Sequence, residues 1–456
     1  MLFEAFLPMG LLSCIIGNFT TFSPDFYGSR MTGTAHIGIT LAIFTGMLVL
    51  MVLHPRRWND AWWTTLAAAA MLTLGLVTPH EALASILAGK NALLFLLSLL
   101  ALSMLVGRSG FFDWAAIHCA RTAKGDANKL YRNAFLAGAV ITAILSLDTT
   151  AVMLTPVLLA LTKRLKIPTA PYVILCAFAA NVGSLMLPIS NLTNLLFADT
   201  FRQTFEAFAA RMIMPQLVAL ASTFAVLRWR FRRDLPSSFD NKSLPDPDSV
   251  VPNRFYFMVC MTTLVAVLSG YFLAPLVNIE PYVCAFAACG VLLIAGMATG
   301  RVQIRIAKEL SWEVFPFVIG LFVAVQGLEN LGIVGIASGW LVQMRTGSLQ
   351  MLFASGFATA VASNLMNNLP AALIARSVLL HSHAHLGTVL ASLIGADVGS
   401  MVTPFGSLAT MLVLSFARRN GEDMRNRDYV IFGLWATPFI AAMTILTLAF
   451  SFFLVR

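Results

Sequence analysis

Ala180-Asn181-Val182-Gly183-Ser184-Leu185-Met186-Leu187-Pro188 aligns without gaps on Ala396-Asp397-Val398-Gly399-Ser400-Met401-Val402-Thr403-Pro404, at an offset of 216 residues. Each stretch carries an amide or acid, then Gly-Ser, then a proline that removes a helical N–H and ends the preceding turn. Near an offset of 219, Asp148-Thr149-Thr150 falls on Asn367-Asn368-Leu369. The apolar runs 37 to 53 and 61 to 77 pair in the same way with 255 to 274 and 281 to 299. The chain therefore reads as two homologous halves, residues 37–227 and 255–456, joined by a Pro-, Ser- and Asp-rich linker at 228–254.

The 456 residues are 58% hydrophobic and 11% charged, against about 25% charged in soluble domains. Mean hydropathy is +0.81. A soluble enzyme and a disordered chain are both excluded. The net charge of +9 does not point to nucleic acid, because the basic residues stand in short blocks between apolar runs. If the loop beginning Arg228-Trp229-Arg230-Phe231-Arg232-Arg233 is cytoplasmic, the blocks Arg56-Arg57, Arg108 to Arg132, Lys163-Arg164-Lys166, Arg301 to Lys308 and Arg418 to Arg427 share its side. The six cysteines, Cys14, Cys119, Cys176, Cys260, Cys284 and Cys289, show no CxxC spacing and read as packing residues.

A bilayer core needs about 20 apolar helical residues, and ten segments qualify: 37 to 53, 61 to 77, 91 to 107, 170 to 197, 207 to 227, 255 to 274, 281 to 299, 314 to 332, 387 to 415 and 429 to 453. Two further apolar regions, 134 to 162 and 351 to 380, are interrupted by Ser146-Leu147-Asp148-Thr149-Thr150 and by Asn364-Leu365-Met366-Asn367-Asn368-Leu369-Pro370. An arm of about 14 residues rises only about 21 Å, so both regions are predicted to be re-entrant hairpins with tips buried in protein. The expected fold is an all-α integral membrane protein, with about ten transmembrane helices plus two re-entrant hairpins. Five crossings per half is an odd number, so the repeats are inverted, as in secondary transporters. Residues 109 to 123 and 333 to 345 read as interfacial amphipathic helices. The first 36 residues form an extension. Its stretch 2 to 17, with Glu4 and Pro8, is open to three readings: a marginal span, a signal-like segment, or residues upstream of a true start at Met31.

Ionisable and amide side chains at membrane depth are where chemistry is expected, because burying them is costly. Asp148 at the first hairpin tip and Asp397 on the second-half break are the candidates for proton coupling. Thr149, Asn181, Ser184, Ser190, Asn191 and Asn194 in the first half, with Asn364, Asn367, Asn368, Thr403 and Ser407 in the second, are expected to line a substrate site or order the tips. Gly183, Thr193, Gly399, Ser400, Gly406 and Thr410 stand among them, and scattered small residues also serve close helix packing. Unwinding at Pro188 and Pro404 would expose carbonyls to cations and helix N-termini to anions. No GxxxxGK[ST], HExxH or GxSxG occurs, so neither an ATPase motif nor a catalytic or metal site is expected, and no cofactor. His381, His383 and His385 read as part of a solvated loop, and Arg376 as a side chain that reaches the outer surface.

At these residues the sequence resembles the arsenical pump membrane protein (ArsB) family of the ion transporter superfamily, from about residue 37 to the C-terminus. The similarity is densest at DTTAVMLTP (Asp148 to Pro156), SNLTNLLFAD (Ser190 to Asp199), MNNLPAALI (Met366 to Ile374) and GADVGSMVTPFGSLATM (Gly395 to Met411). The stretch Phe111-Phe112-Asp113-Trp114-Ala115-Ala116 after Gly110 is also similar to the family pattern. The resemblance implies export of arsenite and antimonite across the inner membrane in exchange for protons, with a soluble arsenite-stimulated ATPase as partner in some systems and a homodimer as a further option. Three positions depart from the family: Leu147 stands where Asn is frequent, Asn181 replaces an Asp, and Val402 stands where Lys is common. One membrane carboxylate and one cation are thereby missing, which bears on coupling. A sodium/proton antiporter and a carboxylate transporter of the same superfamily are the alternatives, the second disfavoured by the repulsion of a dianion from Asp148 and Asp397. A membrane-embedded enzyme or scaffold would need motifs that the sequence lacks.

Overall fold

The computed structural model describes residues 34–53, 59–241, 244–274, 279–343, 348–422 and 424–454. The stretch 2 to 17, Met31, Cys14 and the pair Arg56-Arg57 lie outside the described residues. Among those described, every regular element is helical. The first half contains α1 (Thr34–Leu53), α2 (Asp60–Thr73), α3 (Pro79–Ala88), α4 (Lys90–Gly107), α5 (Phe111–Thr122), α6 (Ala127–Leu145), α7 (Thr155–Arg164), α8 (Ala170–Val182), α9 (Leu192–Thr200) and α10 (Phe205–Phe231). The second contains α11 (Arg254–Leu273), α12 (Pro281–Ala298), α13 (Val314–Asn330), α14 (Ile333–Val342), α15 (Leu349–Met366), α16 (Asn368–His381), α17 (Leu386–Asp397), α18 (Leu408–Arg419) and α19 (Asn426–Leu454).

Seven of these helices are long and apolar enough to cross a membrane, or eight if the broken pair α13 and α14 is one span. Six coincide with expected spans. The seventh is α15, expected to be only a hairpin arm. Its 18 residues and the 19 of α6 correct the arm length read from the sequence, because each rises about 27 Å. The segments 61 to 77, 170 to 197, 314 to 332 and 387 to 415 are shorter or broken helices, so the structure does not display ten continuous crossings.

The hairpin turns themselves are present. Thr150 Oγ1 reaches back to the carbonyl of Gly138 at 3.4 Å and lies 2.7 Å from Thr142 Oγ1, whereas twelve residues of continuous helix would separate the first pair by about 18 Å. The turn is made at Ser146 (φ 121, ψ 162), and its counterpart at Asn367 (φ 78, ψ 154). Both lie in a backbone region that is otherwise nearly exclusive to glycine and stores about 1–3 kcal/mol per residue. This shared geometry corrects the register of the hairpins. The offset is 221, pairing Ser146 with Asn367 and Asp148 with Leu369, because the strained backbone and not the run of polar letters marks the equivalent point.

The chain forms two compact units, and each draws on both halves. The first, the described residues up to Lys90 together with Ile304–Ile336, holds α1 to α3 and α13. Here α13 presents glycine to α2: a Cβ at Gly320 would stand 2.6 Å from the carbonyl carbon of Thr64, and one at Gly327 would stand 2.7 Å from Met71 Sδ. Backbone cannot yield as a flexible side chain can, so Gly320→Val is expected to destabilise this unit by about 1–3 kcal/mol, read as a lowered melting temperature in detergent.

The second unit, Asn91–Gln303 and Ala337 onward, contains both hairpins and both broken helices. In it α4 of the first half packs on α11 and α12 of the second. Phe95 and Tyr271 have ring centroids 5.5 Å apart, and Cys289 Sγ donates to the Ser98 carbonyl at 3.2 Å. The five described cysteines are all free, with Cys176 and Cys260 buried. Part of the linker is held down: Phe239 N donates to the Gly125 carbonyl at 2.8 Å, and Arg121 Nε to that of Pro245 at 3.0 Å. Beside it Asp126 caps α6 by accepting from the N–H groups of Lys129 and Asn128, which hold its carboxyl below the usual range.

Candidate functional site

Each half breaks a helix in the same way. Leu187 (φ −113, ψ 141) leads into Pro188, and Asn191 (φ −150, ψ 142) starts α9. Thr403 (φ −113, ψ 153) leads into Pro404, and Ser407 (φ −140, ψ 135) starts α18. The offset of 216 seen in the sequence is thus reproduced in backbone geometry. The prolines force the extended residue ahead of them, and the unwound strips leave polar groups that must be satisfied by side chains.

The two breaks meet across the repeats. Asp397, fully buried at the end of α17, accepts with Oδ1 from Asn191 Nδ2 at 2.9 Å and Thr193 Oγ1 at 2.6 Å. Both donors belong to the start of α9, whose N-terminal dipole favours an acidic partner. At the equivalent place in the first half, Asn181 at the end of α8 donates with Nδ2 to Thr410 Oγ1 at the start of α18, 3.1 Å away. A pair of helix ends is thus cross-linked to a pair of helix starts, once with a carboxylate and once with an amide.

Several oxygens here are left over. Asp397 Oδ2, Asn181 Oδ1, Asn194 Oδ1 and Ser407 Oγ are buried without a hydrogen-bond partner. Asn194 spends its Nδ2 on the carbonyls of Ser184 and Leu187. Ser407, unlike Asn191, does not cap the helix it starts, so the first turn of α18 keeps free N–H donors. A cluster of such orphans is rare in native proteins.

Asp148 lies nearby and is only half-buried. It shares a cavity of about 10 Å³ with Ser146, Asn191 and leucines of α4, room for about one water. Among the described residues no protein donor reaches its carboxylate. It stands two residues before a π-helical turn at Thr150–Leu154, a widening accounted for by Pro156, which has no N–H to return to the preceding turn. Asn191, facing both this cavity and Asp397, links the two acids.

Other predicted site residues serve the breaks. Asn364 donates to the carbonyls of Ala360 and Gly399 and accepts from Thr403 N at 2.8 Å, and Thr403 Oγ1 donates to the Asn364 carbonyl. Asn367 donates to the Phe405 carbonyl at 3.0 Å. Ser190 donates to the Ala143 carbonyl, and Ser184 to that of Asn181. Asn368 is buried in the first turn of α16. Thr149 turns to Ser103 Oγ at 2.5 Å and to its own hairpin turn, away from the crossing. Arg376 is half-buried, and its Nη1 donates to Thr200 Oγ1 at the end of α9. His381 contacts the Ser377 carbonyl and His385 Nδ1 accepts from Gly387 N, so these rings serve their local turns.

The sequence reading missed Gln216 of α10. Buried beside the first strip, its Oε1 accepts from Leu185 N at 2.9 Å and Met186 N at 3.0 Å, while Nε2 donates to the Val182 carbonyl at 2.6 Å. The matching place in α19 is served by Gly433, where a Cβ would stand 2.5 Å from the Val402 carbonyl oxygen. A lone amide next to Pro215, within the apolar stretch Met212 to Ala221 of a 27-residue helix, was the available signal.

The sequence profile of the arsenical pump membrane protein family matches residues 39–452. The arsenical pump membrane proteins of Yersinia enterocolitica and of Escherichia coli K12 are each 31% identical over 419 residues, covering 90% of this chain and 97% of theirs. Among solved structures, the Alcanivorax borkumensis YdaH transporter superposes with a TM-score of 0.53 at 15% identity, covering 92% of this chain and 98% of that one. Neisseria gonorrhoeae MtrF, described within a class of antimetabolite efflux pumps, superposes at 0.52 and 12% identity, covering 92% and 95%. These two similarities concern the fold alone.

Proposed function

The chain belongs to the arsenical pump membrane protein family, and from this we propose that it exports arsenite and antimonite from the cell across the inner membrane in exchange for protons. The observation that carries the reading is the set of unsatisfied oxygens at the crossing of the two breaks, Asn181 Oδ1, Asn194 Oδ1 and Asp397 Oδ2, beside the uncapped start of α18 at Ser407. At neutral pH trivalent arsenic is an uncharged trihydroxide. It offers three O–H donors, which such acceptors match, and oxygens that the first N–H groups of α18 can meet. Asp397 and Asp148 are the groups able to take up and release the exchanged proton, and Asn191 couples them. An arsenite-stimulated ATPase docking at residues 228–254, or a second copy of the chain, would be additional to this mechanism and is not required by it.

The same oxygens would also suit a partly dehydrated sodium ion, which makes sodium/proton exchange the second reading. Everted vesicles with an acid-inside pH gradient separate the two. Gradient-dependent, sodium-independent arsenite uptake, lost in Asp148→Asn, is the expected result. Sodium-dependent dissipation of the gradient with no arsenite flux would replace the first reading with the second.

A further inference from the structure

A cavity of about 490 Å³ opens between the first turn of α8, the last turn of α10 and the start of α19, on the basic face that the charge pattern assigns to the cytoplasm. Its polar lining comprises Arg230, Asp234, Glu422 and Asp428, and Phe432 and Trp435 form an aromatic wall. Arg230 Nη1 already pairs with Asp234 at 3.1 Å. Glu422 and Asp428 are in no ion pair among the described residues. Arg425 and Arg427, adjacent in the chain, are exposed and do not line the cavity. The pocket thus keeps two acids unneutralised beside aromatic faces, which suits an ammonium group. It also holds a guanidinium whose remaining fork can take a phosphate. Trp229, 60% exposed, meets Trp435 edge-on at 5.4 Å, and tryptophans on an exposed face mark the headgroup level of a bilayer.

We propose that this cavity binds a phospholipid with an ammonium headgroup, phosphatidylethanolamine. The ammonium is placed on Glu422 and Asp428, the phosphate on Arg230, and an acyl chain runs along Ile431 and Trp435. Such a lipid would tie together α10 and α19, the long last helices of the two repeats.

The test uses the full-length protein in nanodiscs with equal fractions of phosphatidylethanolamine and phosphatidylglycerol, followed by quantification of the lipid it retains on extraction into detergent. Wild type is expected to prefer phosphatidylethanolamine by about tenfold, as expected for charge-assisted contacts that phosphatidylglycerol cannot make. Glu422→Gln combined with Asp428→Asn is expected to abolish the preference, and Arg425→Gln, outside the cavity, to leave it intact. Equal or greater retention of phosphatidylglycerol by wild type overturns the proposal, as does a preference that survives the double substitution. Should the double variant fail to fold, brominated-chain phosphatidylethanolamine gives an independent reading: it is to quench fluorescence in wild type more than in Trp435→Phe, and equal quenching overturns the site. Chainless glycerophosphoethanolamine is expected not to compete; competition would show a soluble phosphoamine, not a lipid, to be the ligand.

Discussion

Asp397→Asn is expected to reduce proton-driven arsenite uptake into everted vesicles by about 10²-fold or more, the usual effect of losing a positioned proton-exchanging group, while costing less than about 1 kcal/mol of stability. The geometry dictates this separation. An asparagine keeps an Oδ1 to accept from Asn191 Nδ2 and Thr193 Oγ1, and its new Nδ2 replaces an oxygen that has no partner in the protein. The cross-repeat link survives and the titratable oxygen does not. Asp397→Ala behaves differently: it leaves two buried donors without an acceptor and is expected to destabilise by about 1–3 kcal/mol for each. A wild-type rate in Asp397→Asn vesicles would remove this residue from the coupling machinery. Asp148→Asn provides the internal comparison, since Asp148 accepts no bond from the described protein and its substitution disturbs no network.

Gln216→Leu is expected to be the most damaging change outside the crossing. Three buried backbone groups, the N–H groups of Leu185 and Met186 and the carbonyl of Val182, depend on one carboxamide, and each orphaned group costs about 1–3 kcal/mol. The first strip would lose the contact that fixes its unwound course, shifting Asn181 and Ser184 with it. Thermal melting should fall sharply, and arsenite uptake should fall even at temperatures where the variant stays folded. Gln216→Glu retains both acceptor bonds but turns an oxygen toward the Val182 carbonyl, and should lie between wild type and leucine. Melting and uptake indistinguishable from wild type in Gln216→Leu would show that the strip is held by its own packing.

The membrane class was legible because hydropathy needs only composition and spacing, and the repeat was legible because Gly-Ser and Pro recur with the same local backbone consequence. That is why the offset of 216 reappears in the dihedrals at Leu187 and Thr403. The hairpin register was not legible at the same level. Asp148-Thr149-Thr150 and Asn367-Asn368-Leu369 resemble each other as letters, but the positive-φ turn that defines equivalence is a property of Ser146 and Asn367.

By itself, then, the sequence determined that this is a helical membrane protein of two repeats, with its polar chemistry gathered at two breaks and two hairpin tips. Only the tertiary structure decided which of those polar groups satisfy one another. It turns Thr149 away to Ser103, it brings Gln216 onto a strip some thirty residues earlier, and it leaves the carboxyl of Asp397 half-satisfied. The physical reason is that a buried polar atom must find a partner within about 3 Å, and which partner it finds depends on how distant segments pack, a relation that local patterns of residues do not contain.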